Sequence, residues 1–208
     1  MLVKEFMKTE VVIISPETTI TDALYTMRKN KVKRLPVVEK GRLVGIVTDG
    51  DLREVSPSPA TSLSVWELNY LLGKIPIRDF ALKNVITVSP SEPLEEAAVL
   101  MRRNHVGGLP VVDGEKLVGM ITESDIFDSF LDVMGFRYPG QRIVIEVRDK
   151  AGVIGEVAGI LKEEGANITS FALYHKGPGA GHLVIRLEAK QFTQVLERLE
   201  KQGYTILG

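Results

Sequence analysis

The stretch VGIVTDGDL (44–52) occurs a second time, with small changes, as VGMITESDI (118–126). The same offset of 74 residues aligns 3–52 with 77–126 without a gap, and 18 of these 50 positions are identical. A sequence that repeats at a fixed offset predicts a repeated structural unit. Two copies are too few for a solenoid, so we expect two similar units that pack against each other as a pseudo-symmetric pair.

The composition excludes several classes of protein. The chain has 208 residues, enough for one large or two modest domains. Its net charge is −1 and it has no basic run, which predicts no nucleic-acid or membrane surface. Its apolar runs are far shorter than the roughly 18 residues that span a bilayer, and no apolar leader is seen, so we expect a cytoplasmic protein. Cysteine is absent, which excludes disulfides, thiolate metal sites and cysteine nucleophiles.

Each copy is predicted to fold as strand, helix, strand, strand and helix. In the first copy Thr19 and Asp22 have the spacing of a capping box, which marks the start of a helix. Lys40-Gly41 favours the tight turn of a hairpin between two apolar strands. The predicted elements are a strand at 11–14, a helix that ends at 29–31, strands at 35–39 and 42–48, and a helix that begins at Asp51.

The repeat stops after about residue 135, and a different pattern follows. A strand at 142–147 precedes Asp149, which we expect to cap a helix that ends at Gly165. Two strands joined by KGPGAG, a second helix and a last strand complete a βαββαβ order, which is ferredoxin-like. The predicted domains are repeat 1 (1–56), a linker with a connecting helix (57–76), repeat 2 (77–134), a hinge (135–141) and a C-terminal domain (142–208).

These motifs carry a resemblance to known families. Residues 3–130 resemble a pair of CBS domains (a Bateman module), through Leu-Pro-Val-Val at 35–38 and 109–112 and the endings GIVTDGD and GMITESD. The 142–208 segment resembles an ACT domain, through DKAGV (149–153) and GANI (165–168). The whole arrangement is similar to acetoin-utilisation CBS–ACT proteins. The resemblance implies an α/β (α+β) fold, with tandem βαββα CBS repeats followed by a ferredoxin-like βαββαβ ACT domain.

The two Thr-x-x-Asp motifs, Thr48 to Asp51 and Thr122 to Asp125, admit two interpretations. Threonine can cap the helix that follows the strand, with the acid reaching back to it. The same helix N-terminus can also bind an anion, because its N–H groups are free and its dipole end is positive. The resemblance implies that these residues contact the phosphate and ribose of an adenine nucleotide (ATP, ADP or AMP) or of an adenosyl compound such as S-adenosylmethionine.

We expect the two sites to differ in charge. Lys33-Arg34 precedes the Leu-Pro-Val-Val strand of repeat 1, whereas Gly107-Gly108 precedes that of repeat 2. Arginine offers a permanent forked charge for phosphate, although a solvated pair at a helix exit is an equal alternative. The site with Thr48 and Asp51 is therefore predicted to have an anchor that the Thr122 site lacks, unless His105 supplies one. The resemblance further implies that Ile13 and Thr87 line the adenine slots.

In the C-terminal domain Asp149 and Asn167 could be a helix cap and a turn residue. The resemblance instead implies contacts with a small effector across a dimer interface, and the predicted residues are Asp149, Gly152, Val153, Ile154, Asn167 and Ile168. Ala151 stands where ACT domains usually have proline, which puts the loop's rigidity in question. GPGAG (177–181) joins two strands, so a hairpin is a better interpretation than a phosphate loop.

Three functions remain open from the sequence. The histidines are scattered and no catalytic or metal-binding motif is present, so we expect no enzyme and no metal. The first hypothesis is a homodimeric regulator that senses adenosyl ligands and passes its state to a protein target. The second is an interaction scaffold with vestigial pockets. The third is an enzyme whose catalytic groups meet only in a dimer.

Overall fold

A computed structural model of the chain describes residues 1–55, 64–80, 84–177 and 179–208. These residues form two compact units, Met1–Ile126 and Phe127–Gly208, each with a four-stranded antiparallel sheet. Most of the linker loop that follows residue 56 lies outside the described residues. Within the described ranges, no helix is long and apolar enough to cross a membrane.

The first unit repeats one set of elements twice. The helices are α1 (Val3–Phe6), α2 (Ile20–Asn30), α3 (Asp49–Val55), α4 (Val65–Leu72), α5 (Leu94–Asn104) and α6 (Glu123–Val133), whose last residues belong to the second unit. The strands are β1 (Arg34–Glu39), β2 (Arg42–Thr48), β3 (Gly108–Asp113) and β4 (Lys116–Thr122). The sheet order is β1-β2-β4-β3, and the two hairpins meet at a single pair, Arg42 with Lys116. Pseudo-symmetry therefore extends to the sheet.

Local sequence explains the element boundaries of the repeat. The hydroxyl of Thr19 accepts a hydrogen bond from the backbone N–H of Asp22 at 3.2 Å, which starts α2 as predicted. Lys31 and its equivalent His105 end α2 and α5 in the left-handed conformation, with φ of 53° and 54°. Lys40 and Gly41 also have positive φ, as a tight hairpin turn requires.

Two predicted boundaries in the repeat are wrong. The 11–14 segment is not a strand, because only Ile14 forms an isolated parallel bridge, to Val37. A segment with a single partner residue cannot build a ladder, and Val88 repeats the arrangement with Val111. The second helix starts at Asp49 rather than at Asp51.

Two hydrophobic cores fill this unit, and each also takes in the segment that begins the other repeat, since Ile77 is buried in the first core and Val3 in the second. Leu35 and Val37 are buried in the first core, and the equivalent Leu109 and Val111 are buried in the second. The predicted connecting helix is present as α4, although Trp66 on it is exposed. Burial of apolar side chains is the main driving force for folding, so the duplicated apolar pattern produces two similar cores.

The second unit has the predicted ferredoxin-like topology. Its elements are β5 (Gln141–Arg148), α7 (Val153–Glu163), β6 (Asn167–Gly177), β7 (Ala180–Glu188), α8 (Phe192–Lys201) and β8 (Thr205–Ile206). The antiparallel sheet has the order β6-β7-β5-β8, and α7 and α8 contribute Val157, Leu161, Val195 and Leu199 to its core. The predicted fold class is confirmed in both units.

Three segments of this unit are placed differently from the sequence-based expectation or keep an untested role. Asp149 does not cap α7; Gly152 occupies that position with φ of 89°, and Oδ2 of Asp149 lies 3.3 Å from Nδ1 of His175 instead. Asn167 is the first residue of β6 rather than a turn residue. The predicted hinge, 135–141, is bonded within the second unit, where Nη1 of Arg186 donates to the carbonyl of Gly140 at 3.4 Å. Its role as a hinge stays a prediction.

Candidate functional site

The turn between β2 and α3 fixes a threonine and an aspartate side by side. The backbone N–H and the hydroxyl of Thr48 both donate to Oδ2 of Asp51, at 2.7 and 2.8 Å. The backbone N–H of Asp51 donates back to the Thr48 hydroxyl at 3.2 Å. Oδ2 is thus occupied, whereas Oδ1 has no hydrogen bond to any of the described residues. The carboxylate keeps one oxygen available as an acceptor.

The turn between β4 and α6 repeats this arrangement. The N–H and the hydroxyl of Thr122 donate to Oδ2 of Asp125 at 2.8 and 2.6 Å. Asp125 is only 8% exposed, and its Oδ1 lies 3.5 Å from Nζ of Lys8. The hydrogen bonds are the same in both repeats, but the free oxygen of Asp125 faces a cation. A buried carboxylate is stabilised by such a partner.

Each Thr-x-x-Asp turn closes a pocket, and more than half of the residues that line it come from the opposite repeat. The Thr48 pocket has a volume of about 440 Å³, and repeat 2 contributes more than half of its lining. These repeat 2 residues are Asn84, Val85, Ile86, His105, Val106, Gly107, Gly108 and Pro110. The predicted residues Lys33, Arg34, Thr48 and Asp51 are all present in this lining.

The Thr122 pocket has a volume of about 370 Å³ and is lined mainly by repeat 1. Its cations are Lys8, Lys31, Lys33 and Arg34, and its acids include Glu123. Repeat 1 thus supplies cations to this pocket, although Gly107-Gly108 supplies none, and the expected difference in anchoring between the two sites stays a prediction. Asp125 does not line this pocket. It is buried and accepts a hydrogen bond from the hydroxyl of Thr122, which does line it.

Arg34 lines both pockets. Its guanidinium lies against the backbone of repeat 2, since a Cβ added to Gly107 would be 2.9 Å from Nη2 of Arg34, and one added to Gly108 would be 3.1 Å from Cζ. Burial lowers the pKa of Arg34, and the nearby carboxylate of Glu123 opposes this shift. The guanidinium donates no hydrogen bond to any other described residue. A guanidinium has five N–H donors, so this side chain is a candidate to bind an anion.

Other predicted nucleotide contacts are placed differently. Ile13 and Thr87 line neither pocket; Ile13 is 49% exposed, and the neighbouring Val12 and Ile86 are in the walls instead. His105 belongs to the Thr48 pocket, not to the Thr122 pocket. Sequence reasoning missed Lys8, Lys31, Asn84 and Glu123. The 74-residue offset relates Val12 to Ile86 and could have indicated that both are equivalent wall positions.

The predicted effector residues of the C-terminal unit do not form one site within this chain. Ile154 and Ile168 line an apolar cavity of about 450 Å³ between α7 and β6. Val153 lines a separate, polar cavity of about 660 Å³. Asp149, Gly152 and Asn167 line neither cavity. The effector site stays a prediction that depends on a second copy of the chain.

The polar cavity contains a small network of charges. Nζ of Lys150 donates to Oε1 of Glu156 at 2.8 Å, and the hydroxyl of Tyr204 donates to Oε2 at 3.3 Å. The bond from Lys150 lowers the pKa of Glu156, while burial raises the pKa of Tyr204. All three side chains have partners, so the network has no obvious unused group. In the part of the chain that the structure describes, no three histidine or acidic side chains cluster as metal ligands.

Comparison with known proteins places this geometry in a family. The CBS-domain profile matches residues 3–58 and 77–132, and the ACT-domain profile matches 141–203. A crystal structure of a protein assigned to acetoin utilization (AcuB), from Vibrio cholerae, is 26% identical, with a TM-score of 0.55 over 66% of this chain and 95% of that chain. The structure of CBSX2 in complex with AMP is 31% identical, with a TM-score of 0.53 over 64% of this chain and 97% of that chain.

A third structure is a CBS-domain pair in complex with 5′-methylthioadenosine and S-adenosyl-L-methionine. It is 28% identical, with a TM-score of 0.52, and the match covers 62% of this chain and 95% of that chain. The two CBS matches together span more than half of the 208 residues. This chain belongs to the CBS-domain family, and its CBS pair is followed by an ACT domain.

Proposed function

We propose that this protein is a non-catalytic regulator that binds an adenine nucleotide or another adenosyl ligand in its CBS pair. The observation that carries the proposal is the pair of pockets, each closed by a Thr-x-x-Asp turn and each lined by the unbonded guanidinium of Arg34. Volumes of about 440 and 370 Å³ suit a small ligand, since ligand pockets usually measure about 300–1,000 Å³.

The relatives support the chemical class of the ligand. One similar structure contains AMP, and another contains 5′-methylthioadenosine and S-adenosyl-L-methionine. The shared part of these molecules is an adenosyl group. In this chain, Oδ1 of Asp51 is the candidate acceptor for a ribose hydroxyl, the apolar Val85 and Ile86 are the candidate walls for adenine, and Arg34 is the candidate phosphate anchor.

The direct test is isothermal titration of the purified protein with ATP, ADP, AMP and S-adenosylmethionine at fixed salt concentration. We expect saturable binding of at least one of these four ligands, and weaker binding by Asp51→Ala. If none of the ligands binds the folded protein, the pockets are vestigial and the scaffold hypothesis replaces this one.

We further propose that the protein works as a homodimer. Strand β6 lies at an edge of its sheet, and Phe171 on it is 51% exposed. An unpaired strand edge with exposed apolar side chains favours pairing with another chain. Light scattering should give twice the chain mass of 23.0 kDa; the mass of a single chain at micromolar concentration would contradict a dimer.

The remaining assignments are also proposals. A small effector of the ACT domain and a protein target would complete a sensor, because coupling needs a ligand that binds one arrangement of the protein better than another. A role in acetoin or acetyl metabolism is supported by the similarity to the acetoin utilization protein. The cytoplasmic location stays a prediction from the sequence.

A further inference from the structure

The guanidinium of Arg34 occupies the place where the two repeats face each other. Arg34 and Gly108 are equivalent positions, since they are 74 residues apart, and each begins the first strand of its hairpin. Each also pairs with the threonine of its own repeat, Arg34 with Thr48 and Gly108 with Thr122. A Cβ on Gly108 would collide with the Arg34 guanidinium. Large side chains at both equivalent positions therefore do not fit. The Arg34 side chain occupies the space next to Gly108 as well as its own.

The two pockets adjoin at this side chain. Lys33, Arg34 and Gly107 line both of them, whereas the two Thr-x-x-Asp turns line one each. Lys33 is exposed and Arg34 is half-buried. A half-buried cation interacts more strongly with an anion than a solvated one, because less water screens it. Arg34 is thus the strongest anchor that the pockets have in common.

The acids next to the two turns differ in their partners. Asp49 follows Thr48, and Nη2 of Arg53 lies 2.9 Å from its Oδ2. The equivalent acid of repeat 2 is Glu123, and the position equivalent to Arg53 is Phe127. Glu123 therefore has no arginine four residues later in the chain. A Cβ added to Gly107 would lie 2.9 Å from both Oε2 of Glu123 and Nη2 of Arg34, so the two side chains are close to each other. In the Thr122 pocket, a bound phosphate would have to compete with Glu123 for the guanidinium.

We propose that Arg34 is a single phosphate anchor shared by both pockets, so that two phosphate-bearing ligands bind with negative cooperativity while two uncharged adenosines do not. This inference rests on the proposed function and adds its regulation. The first phosphate neutralises the guanidinium. The second phosphate then finds no free guanidinium and loses a charge-assisted hydrogen bond. Coupling between sites is typically about 5–150-fold in affinity, and we expect at least the lower value for AMP.

The experiment is a calorimetric titration of the full chain with AMP and, separately, with adenosine. For the wild-type protein we expect two AMP sites per chain with different affinities. The ratio of the two AMP affinities should exceed the corresponding ratio for adenosine by at least about fivefold. In Arg34→Gln the first AMP should bind more weakly and the extra difference between the AMP sites should disappear, while adenosine affinities stay unchanged. Retained adenosine binding also reports that the pockets of the variant are folded.

Two further variants complete the test. Arg42→Gln removes an arginine that lines neither pocket and is paired with Glu115, and it should behave as the wild type. Glu123→Gln should strengthen AMP binding and leave adenosine binding unchanged, because the competing carboxylate is gone. This second variant keeps the proposal testable if Arg34→Gln does not fold.

The outcomes separate the two proposals. Failure of adenosine, AMP, ADP, ATP and S-adenosylmethionine alike to bind the folded protein would reject the proposed function itself. Independent AMP sites, coupling that persists in Arg34→Gln, or a single site per chain for each ligand would overturn the shared anchor while leaving ligand binding intact. One AMP but two adenosines per chain would be the strongest form of the expected result.

Discussion

Repeat 1 and repeat 2 of the CBS pair have similar backbones but differ in their charged side chains. Both Thr-x-x-Asp turns have the same three hydrogen bonds, and both hairpins have a register shift at the same position. The charged side chains differ. Arg34 faces Gly108, Arg53 corresponds to Phe127, and Lys8 forms an ion pair with the aspartate of repeat 2. Duplication kept the groups that define local geometry, while surface charges were free to change. The two Thr-x-x-Asp turns therefore have the same local geometry but different charged neighbours.

Substitutions in the two cores should have the largest effects and test whether both cores are equally well packed. Leu35 and Leu109 are equivalent and are 0% and 1% exposed. Each leucine-to-alanine substitution should lower the free energy of unfolding by about 2–5 kcal/mol, because it removes buried methyl groups and leaves a cavity. Urea denaturation measures both. Val44→Ala, at a position that is 38% exposed, is the control and should cost much less. A clear difference between the two leucine variants would show that the repeats are not equally packed.

The next effect tests why repeat 2 has glycine where repeat 1 has arginine. Gly108→Ala should destabilise the protein by about 1–3 kcal/mol, because the new Cβ lies 3.0 Å from the backbone carbonyl of Ile121, which cannot move freely, and also displaces the Arg34 guanidinium. Introducing Arg34→Ala as well should recover part of this loss, which thermal or urea denaturation measures.

Gly107→Ala is the matched control for this substitution. Its Cβ would meet only the ends of the Arg34 and Glu123 side chains, which can move. Gly108→Ala with no loss of stability, or with the same loss in the absence of Arg34, would mean that the arginine does not require this glycine.

A third prediction compares the two aspartates in ligand binding. Asp51→Ala should weaken adenosine binding to the Thr48 pocket by about 1–3 kcal/mol, through the loss of hydrogen bonds to the ribose. Asp125 lies beneath its pocket and faces Lys8, so Asp125→Ala should affect the free energy of unfolding more than adenosine affinity. Titration and urea denaturation of both variants make the comparison. An Asp51 variant that is folded and binds normally would place the ligand elsewhere.

The smallest expected effect concerns the lysine of the Thr122 pocket. The Lys8 side chain is 70% exposed, so its charge is well screened, and exposed ion pairs contribute at most about 1 kcal/mol. Lys8→Gln should therefore weaken AMP binding by less than about 1 kcal/mol, with no change for adenosine, and the effect should vanish at high salt. A loss as large as that of Arg34→Gln would assign the anchor to Lys8.

The duplication, most element boundaries and the ferredoxin-like order of the C-terminal unit could be predicted from the sequence. These features depend on interactions between neighbours in the chain. Thr19 caps α2 through a residue three positions away, and Lys40-Gly41 turns the hairpin locally. One boundary failed for lack of a partner: 11–14 is apolar like a strand, but only Ile14 forms a bridge, to Val37.

Which residues share a pocket depends on the tertiary structure. The sequence motif associates Arg34 with Thr48, because both belong to repeat 1, and it gives no sign that Thr122 uses the same arginine. The sheet order places β2 beside β4, and each turn then faces a wall from the other repeat. His105 and Lys8 thus belong to pockets whose threonines lie in the opposite repeat. Such pairings depend on the packing of distant segments, and no local pattern of residues encodes them.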